Sequence, residues 1–98
     1  MIGTIVTLQY DDEGFDPDLI EKVAREATPT FEGLPGLRSK AFTVDSANRR
    51  AVNFYVWSSE EAGRSFFNDE LRALVVDLYG VNPTVDFVEI VSLVDNGE

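Results

Sequence analysis

Cysteine and histidine are both absent from this sequence of 98 residues, and each absence removes a class of chemistry. Without cysteine there is no disulfide framework and no thiol nucleophile. Without histidine the chain lacks the commonest general base, the commonest metal ligand and the usual axial ligand of haem. Any proton transfer would therefore fall to a carboxylate, a tyrosine, a lysine or water.

Basic side chains are also scarce, since 8 lysines and arginines stand against 18 aspartates and glutamates, for a net charge of −10. Such a surface repels phosphate backbones and anionic lipid headgroups, so we expect neither nucleic acid nor a membrane as a partner. No apolar stretch approaches the roughly 20 residues that cross a bilayer. The apolar residues 1–6 lack a basic flank, which indicates a strand rather than a signal peptide. We expect a soluble, cytoplasmic protein.

Length and hydrophobic periodicity predict one domain, 1–98, whose first half contains a strand, a helix and a hairpin. Alternation over residues 2–10 predicts the first strand. Asp16 before Pro17 predicts the start of a helix, which Pro29 is expected to stop or kink. Two strands are then predicted over 37–45 and 50–57, and the short polar loop between them indicates a hairpin.

The second half of the chain is predicted to hold a helical region and a last strand. Ser58, with Glu61 three residues later, predicts a capping box at the start of the helical region. Asn68-Asp69 is a candidate break in it, and Gly80 suits its C-terminal cap. Residues 85–94 are apolar at nearly every position, which predicts a strand buried on both faces. The order βαββαβ is typical of an α+β, ferredoxin-like fold, an antiparallel four-stranded sheet with two helices on one face.

The third predicted strand has two different faces. One carries an amide, a phenol and the only tryptophan of the chain: Asn53, Tyr55 and Trp57. The other is apolar: Val52, Phe54 and Val56. Two helices can cover only one face of the sheet, and soluble monomers rarely expose an apolar patch as large as the second face would be. We therefore predict a homodimer whose sheets pack face to face.

Several segments of the chain resemble the YdhR-like mono-oxygenases, a family of the dimeric α/β barrel group that includes the antibiotic biosynthesis monooxygenases. These segments are residues 34–40 (LPGLRSK), residues 54–57 (FYVW), the helix start at 61–62 and the residues VDN at 94–96. The resemblance covers about residues 2–96. It implies a ferredoxin-like protomer and a homodimer with a central barrel.

The resemblance also implies an activity. In quinone-forming relatives, an asparagine and a tryptophan four residues apart help to line the substrate cavity, and Asn53 and Trp57 have this spacing. The haem-degrading branch uses a histidine to hold iron, and this chain has none. The implied function is a monooxygenase that needs no cofactor and no metal. Its substrate would be a small aromatic or polyketide-like molecule, oxidised by O₂ in a pocket between sheet and helices.

Cofactor-free oxygenation needs a substrate, such as a phenolate or enolate, that donates an electron to O₂. The protein then supplies a dry cavity and hydrogen-bond donors where negative charge develops. The candidate catalytic donors are Asn53, Tyr55 and Trp57. The candidates for substrate binding are Arg38, Lys40, Phe66 and Tyr10. The two cations among them would favour the ionised form of the substrate.

Structural roles compete with each of these assignments. Core packing with hydrogen-bonded tips explains Tyr55 and Trp57 as well as a pocket does, and a structural hydrogen bond explains Asn53. Surface charge is the ordinary role of residues such as Arg38 and Lys40. The second hypothesis is therefore a non-catalytic homodimer that binds a small hydrophobic molecule or serves only assembly. The acidic run 11–18 lacks the ligand pattern of an EF-hand, so we assign it to a solvated loop and a helix cap.

Overall fold

The computed structural model describes residues 1–96, and the last two residues of the predicted domain lie outside this part. The described residues form four strands and three helices. In chain order these are β1 (Ile2–Gln9), α1 (Pro17–Phe31), β2 (Leu37–Asp45), β3 (Arg50–Trp57), α2 (Glu60–Phe66), α3 (Asp69–Tyr79) and β4 (Thr84–Glu89).

The four strands form one sheet in the order β2-β3-β1-β4, and every neighbouring pair is antiparallel. In this order β3 lies between β1 and β2, as in the split βαβ units of ferredoxin-like folds. The predicted fold class is confirmed. Because side chains alternate between the two faces of a strand, Thr4, Val6 and Leu8 of β1 are buried together on the face that packs against the helices.

Helix α1 begins as predicted but ends later. Asp16 caps it by accepting a hydrogen bond from the backbone N–H of Leu19 at 3.2 Å, and Pro17 is the first helical residue. Pro29 does not end the helix, which continues to Phe31. A proline so close to the end of a helix removes a single backbone hydrogen bond, so the last turn can still form around it. The helix therefore carries Phe31 over the sheet.

The second helical region is two helices, not one, and its start differs from the prediction. The N-cap of α2 is Ser59, whose side chain accepts a hydrogen bond from the N–H of Ala62 at 3.1 Å. The predicted capping box of Ser58 and Glu61 is wrong, because the Ser58 hydroxyl donates instead to the carbonyl of Gly36 at 3.2 Å.

The predicted break at Asn68-Asp69 is confirmed. Asn68 caps α3 by accepting a hydrogen bond from the N–H of Leu71 at 2.9 Å. Gly80 ends α3 with a left-handed φ of 79°, as its predicted C-cap role requires. The buried side of α3 includes Tyr79, whereas Leu74 and Leu78 are exposed.

Strand β4 is shorter and more exposed than predicted. It ends at Glu89, and residues 90–96 continue without regular structure, with Val91 96% and Val94 79% exposed. The physical reason lies in β1, the strand that pairs with β4. Pairing between the two begins at Ile2 with Glu89, so residues after Glu89 have no strand residue beside them. The prediction of a strand over 85–94, buried on both faces, is wrong.

The face of the sheet away from the helices is open in the protomer. Phe54 and Val88 lie above Gly3, where an added methyl group would come within 3.0 Å of the Phe54 ring and 3.1 Å of Val88 Cγ2. Ile5 is half-buried nearby, and Val88 remains 37% exposed. Glycine at position 3 thus lets two apolar side chains close over the middle of this face.

Candidate functional site

The three candidate catalytic residues all lie on the helix-facing side of β3. Asn53 is 4% exposed, Tyr55 is 4% exposed and Trp57 is 1% exposed. Across the sheet, Asn53 pairs with Val6 and Tyr55 pairs with Thr4. The alternation in the sequence therefore predicted correctly that these side chains share one face, and that face points into the core.

Trp57 is closely packed and its polar atom is already used. Its indole N–H donates a hydrogen bond to the hydroxyl of Thr4 at 3.1 Å. The indole stacks on Tyr55, with ring centres 5.7 Å apart and planes 6° from parallel. Gly63 of α2 lies directly against it, because a methyl group there would come within 2.9 Å of Trp57 Cδ1. In this arrangement the indole packs in the core and has no donor left for a ligand.

Tyr55 and Phe66 belong to the same aromatic cluster. Tyr55 packs edge-on against Phe67, with ring centres 5.0 Å apart, and Phe66 lies 5.2 Å from Trp57. Burial raises the pKa of the Tyr55 phenol well above its usual value, with a smaller contribution from Tyr79, so the phenol is neutral at ordinary pH. The structure thus brings together Phe66 and two of the predicted catalytic side chains as a packed group.

Asn53 has different surroundings, beside a small cavity between α1 and β2. The cavity has a volume of about 80 Å³. Its walls are formed by Ile20, Glu21, Ala24, Phe42, Thr43, Val44, Asn53 and Tyr79. Asn53 is also hydrogen-bonded to the phenol of Tyr79. Burial raises the pKa of Tyr79, and the bond from Asn53 partly opposes this. An amide and a neutral phenol therefore lie side by side at the cavity.

Tyr79 was not among the residues that the sequence singled out, although it is a central polar group of this region. It is the last residue of α3 and is brought to Asn53 only by the packing of that helix on the sheet. Its position four residues after Val75, on the buried side of α3, is the one local signal that could have indicated it. Its phenol is hydrogen-bonded to Asn53, and its backbone carbonyl accepts a hydrogen bond from Tyr10.

Tyr10 forms a hydrogen bond to the backbone of Tyr79, and it lies in a core cluster separate from that of Tyr55 and Trp57. Its hydroxyl donates to the Tyr79 carbonyl at 2.8 Å, and its ring packs edge-on against Phe15, 6.0 Å away. Burial raises the pKa of Tyr10 to about 12, and the neighbouring Tyr79 adds to the shift. Tyr10 does not line the cavity at Asn53.

Arg38 and Lys40 do not share one face of β2, contrary to the simple alternation of that strand. The pairing of β2 with β3 shifts between Leu37 and Ser39, so that Arg38 is an extra residue in the ladder. Arg38 is exposed, with Nη1 3.1 Å from the sulfur of Met1. The bulge turns Lys40 towards the helices, opposite Tyr55.

Lys40 lies against three aromatic rings and is half-buried. Its Nζ lies 3.4 Å from the ring centre of Phe31, 4.0 Å from that of Phe42 and 4.3 Å from that of Tyr55. Burial lowers the pKa of Lys40 to about 7. Phe42 therefore contacts the lysine and also forms part of the wall of the cavity at Asn53.

The described residues contain neither a cluster of side chains that could bind a metal ion nor a helix that could span a membrane. In residues 1–96, no three side chains of histidine, cysteine, aspartate or glutamate gather closely enough to hold a metal. Over the same range, no helix combines the length and the apolar character needed to cross a membrane. A larger hollow of about 390 Å³ lies around Ile2, Arg64 and Phe87, and none of the predicted site residues lines it.

Comparison with known proteins shows which solved structures share this fold. No protein-family model matches the chain, and no curated protein matches it. Among solved structures, a monooxygenase from the gene ActVA-Orf6 of Streptomyces coelicolor, in complex with nanaomycin D, superposes with a TM-score of 0.71. It is 22% identical, over 98% of this chain and 92% of that chain.

Two further structures are similar over nearly their whole length. SnoaB, a cofactor-independent oxygenase from Streptomyces nogalater, has a TM-score of 0.68 and 13% identity, over 94% of both chains. NE2512 of Nitrosomonas europaea, a protein of unknown function, has a TM-score of 0.73 and 15% identity, over 99% of this chain and 95% of that one. The chain has the fold of the antibiotic biosynthesis monooxygenases, and the resemblance seen in the sequence is confirmed at that level.

Proposed function

We propose that this protein is a cofactor-independent monooxygenase that oxidises a small aromatic or polyketide-like molecule with O₂. The observation that carries the proposal is the buried amide of Asn53, which borders a cavity between sheet and helix beside a neutral phenol. Its spacing of four residues from Trp57, in a fold shared with monooxygenases, supports the same activity.

The proposed reaction converts a ring methylene next to a phenol into a carbonyl. One oxygen atom of O₂ enters that carbon, and the other leaves as water with the two hydrogens that the carbon loses. The substrate supplies the electrons after it loses a proton, and the residues around the cavity stabilise the resulting negative charge. Asn53 and Tyr79 carry the hydrogen-bond donors for this purpose, in a site from which Ile20 and Phe42 exclude water.

The cavity must widen to admit such a substrate. Its volume of about 80 Å³ is well below the roughly 300 Å³ at which pockets for drug-sized ligands begin. Two of its walls allow this change, because Thr43 and Val44 are exposed residues of β2, the strand at the edge of the sheet. We expect substrate entry to separate α1 from β2 while the Trp57 cluster remains packed.

The test is O₂ consumption by the purified protein, freed of metal by a chelator, with a panel of anthrones and quinols. Substrate-dependent O₂ uptake in wild type is expected to fall at least tenfold in Asn53→Ala. The matched control is Asn48→Ala, which removes an exposed asparagine from the loop before β3 and should keep full activity. Circular dichroism of each variant separates a loss of chemistry from a loss of folding.

A non-catalytic role in ligand binding or assembly is the second candidate, and the packing of Tyr55 and Trp57 favours it. Both rings are buried in contact with each other, and the indole N–H is bonded to Thr4. In this case no member of the panel would be consumed, but aromatic ligands would still raise the melting temperature. That result would replace the monooxygenase proposal with the binding one.

We further propose that the open sheet face pairs with a second copy of the chain. The support is the apolar surface formed by Phe54 and Val88 over Gly3, which one protomer leaves partly exposed. Sedimentation at micromolar concentration should give a dimer for wild type and a monomer for Phe54→Lys. Leu74→Lys, at an exposed apolar position of α3, is the control and should remain dimeric. A monomeric wild type would contradict the proposal.

A further inference from the structure

Lys40 occupies a setting that differs from that of Lys22, the other lysine of the chain. Lys22 is exposed on α1, whereas the Nζ of Lys40 lies within 4.3 Å of the centres of three aromatic rings. In the described part of the chain, no carboxylate forms an ion pair with Lys40. An ammonium that has lost much of its water and has no anion beside it is costly, so this environment favours the neutral amine.

The charged and titratable groups around Lys40 do not reverse this preference. Glu32 and Arg38 line the same cleft as Lys40, and Tyr55 lies opposite it on β3. Tyr55 carries no charge, because burial raises its pKa. The rings attract an ammonium, but that attraction is a smaller effect than the loss of water around the charge. Burial lowers the pKa of Lys40 to about 7, so at pH 7 about half of the protein molecules carry Lys40 as the neutral amine.

The amine can also be reached from solvent. An open cleft of about 240 Å³ lies between the end of α1 and the start of β2, and Lys40 forms part of its wall. Phe31 and Leu37 give the cleft an apolar side, while Arg38 and Ser39 supply polar atoms at its edge. A small planar molecule entering here would meet the amine next to a phenylalanine ring.

We propose that Lys40 is a reactive amine that binds small aromatic aldehydes or ketones covalently as imines. The lone pair of Nζ attacks the carbonyl carbon, and a carbinolamine forms. The carbonyl oxygen then leaves as water with the two hydrogens of the amine, so that a C=N bond replaces the C=O bond. The step uses no oxidant and no reductant. It goes beyond the proposed monooxygenase activity and does not depend on it.

The experiment is reductive trapping on the full chain at pH 7 with benzaldehyde and sodium cyanoborohydride. The reductant converts the imine to a stable secondary amine, and mass spectrometry of the digested protein gives the rate of labelling at each amine. Lys22 is the internal control. We expect Lys40 to be labelled at least tenfold faster than Lys22 in the folded protein. The two rates should become equal in urea, because the preference depends on the fold.

The proposal is wrong if Lys40 in the folded protein is labelled no faster than Lys22. Slower labelling at Lys40 is the outcome expected if the rings hold a permanent ammonium or if the cleft does not admit the aldehyde. The pH dependence gives a second readout. The ratio of labelling at Lys40 to labelling at Lys22 should fall between pH 7 and pH 10, because burial lowers the pKa of Lys40 to about 7 and its neutral fraction no longer increases above that pH. The ratio removes the pH dependence of the trapping step, since cyanoborohydride reduces the protonated imine at either lysine. A ratio that stays constant up to pH 10 would equally overturn the proposal.

Discussion

The indole N–H of Trp57 donates a hydrogen bond to the hydroxyl of Thr4, 3.1 Å away on the neighbouring strand β1. Both side chains are almost completely buried, so water cannot replace the bond if one partner is removed. An orphaned buried donor costs about 1–3 kcal/mol, whereas its bonded form contributes much less to the net stability. The stability of the packed tryptophan therefore depends on the hydroxyl of Thr4, which is the acceptor for its indole N–H.

Thr4→Val should lower the free energy of unfolding by about 1–3 kcal/mol, because valine keeps the shape of threonine but leaves the indole N–H unpaired. Urea denaturation followed by tryptophan fluorescence measures this, since Trp57 is the only tryptophan. Thr7→Val, on the other face of the same strand, is the control and should change stability far less. Equal effects of the two variants would refute a structural role for the bond.

Gly63→Ala should destabilise the protein, although the same change in most helices is stabilising. A glycine inside a helix ordinarily costs about 0.5–1 kcal/mol relative to alanine. Here the new methyl group would come within 2.9 Å of Trp57, and overpacking of this kind costs about 1–3 kcal/mol. The central values of these two ranges leave an expected net loss of about 1 kcal/mol. Thermal unfolding of this variant and of the exposed Ser65→Ala gives the comparison, and a gain in melting temperature for Gly63→Ala would contradict the packing.

Lys40→Met should stabilise the protein at pH 7 and below, and this gain should shrink as the pH increases towards 10. Burial lowers the pKa of Lys40 in the folded state to about 7, whereas an unfolded lysine has a pKa near 10.4. Between these values the unfolded chain binds more protons, so wild-type stability rises with pH. Methionine has a similar length and no charge, so its variant lacks this increase.

We expect a gain of about 2–4 kcal/mol for Lys40→Met at pH 6, the full effect being reduced because the lysine is partly exposed. The measurement is urea denaturation at several pH values, with Lys22→Met as the control for the loss of one exposed lysine. The pH-dependent difference between Lys40→Met and wild type should be absent between Lys22→Met and wild type. A constant difference at all pH values would mean that Lys40 keeps its charge in the folded protein.

Ser59→Ala should destabilise α2 more than Ser58→Ala does. Ser59 accepts a hydrogen bond from the backbone N–H of Ala62, and loss of an N-cap of this kind costs about 1 kcal/mol. Ser58 instead donates to the Gly36 carbonyl from an exposed position, where water can take its place. Chemical denaturation of the two single variants compares the caps directly. The opposite ranking would restore the sequence-based assignment.

The parts of the fold that could be predicted from the sequence depend on local interactions. The bounds of β2 and β3 agree with the prediction because alternating side chains record which residues face the core. The cap at Asp16 and the left-handed Gly80 were also predictable, since each satisfies backbone groups of its own helix.

The parts that could not be predicted depend on a distant partner. The end of β4 is determined by where β1 begins to pair with it, and the apolar residues after Glu89 carry no sign of this. Tyr79 comes beside Asn53 only when α3 packs on the sheet. In the candidate site, the shared face of β3 was therefore predictable, whereas the cavity and the phenol beside its amide were not.

The bulge at Arg38 acts on the chain as a single inserted residue that reverses the phase of β2. With it, Leu37, Lys40 and Phe42 all point towards the helices. In a regular strand, residues three apart point to opposite faces, so Leu37 and Lys40 could not both face the helices if Arg38 took an ordinary place in the ladder. Deleting Arg38 would leave the two side chains two positions apart and still on the helix-facing side. A change that kept Arg38 but abolished the bulge would instead turn either Leu37 or Lys40 to the open face of the sheet. The extra residue thus allows a leucine and a lysine at odd spacing to share the aromatic side of β2.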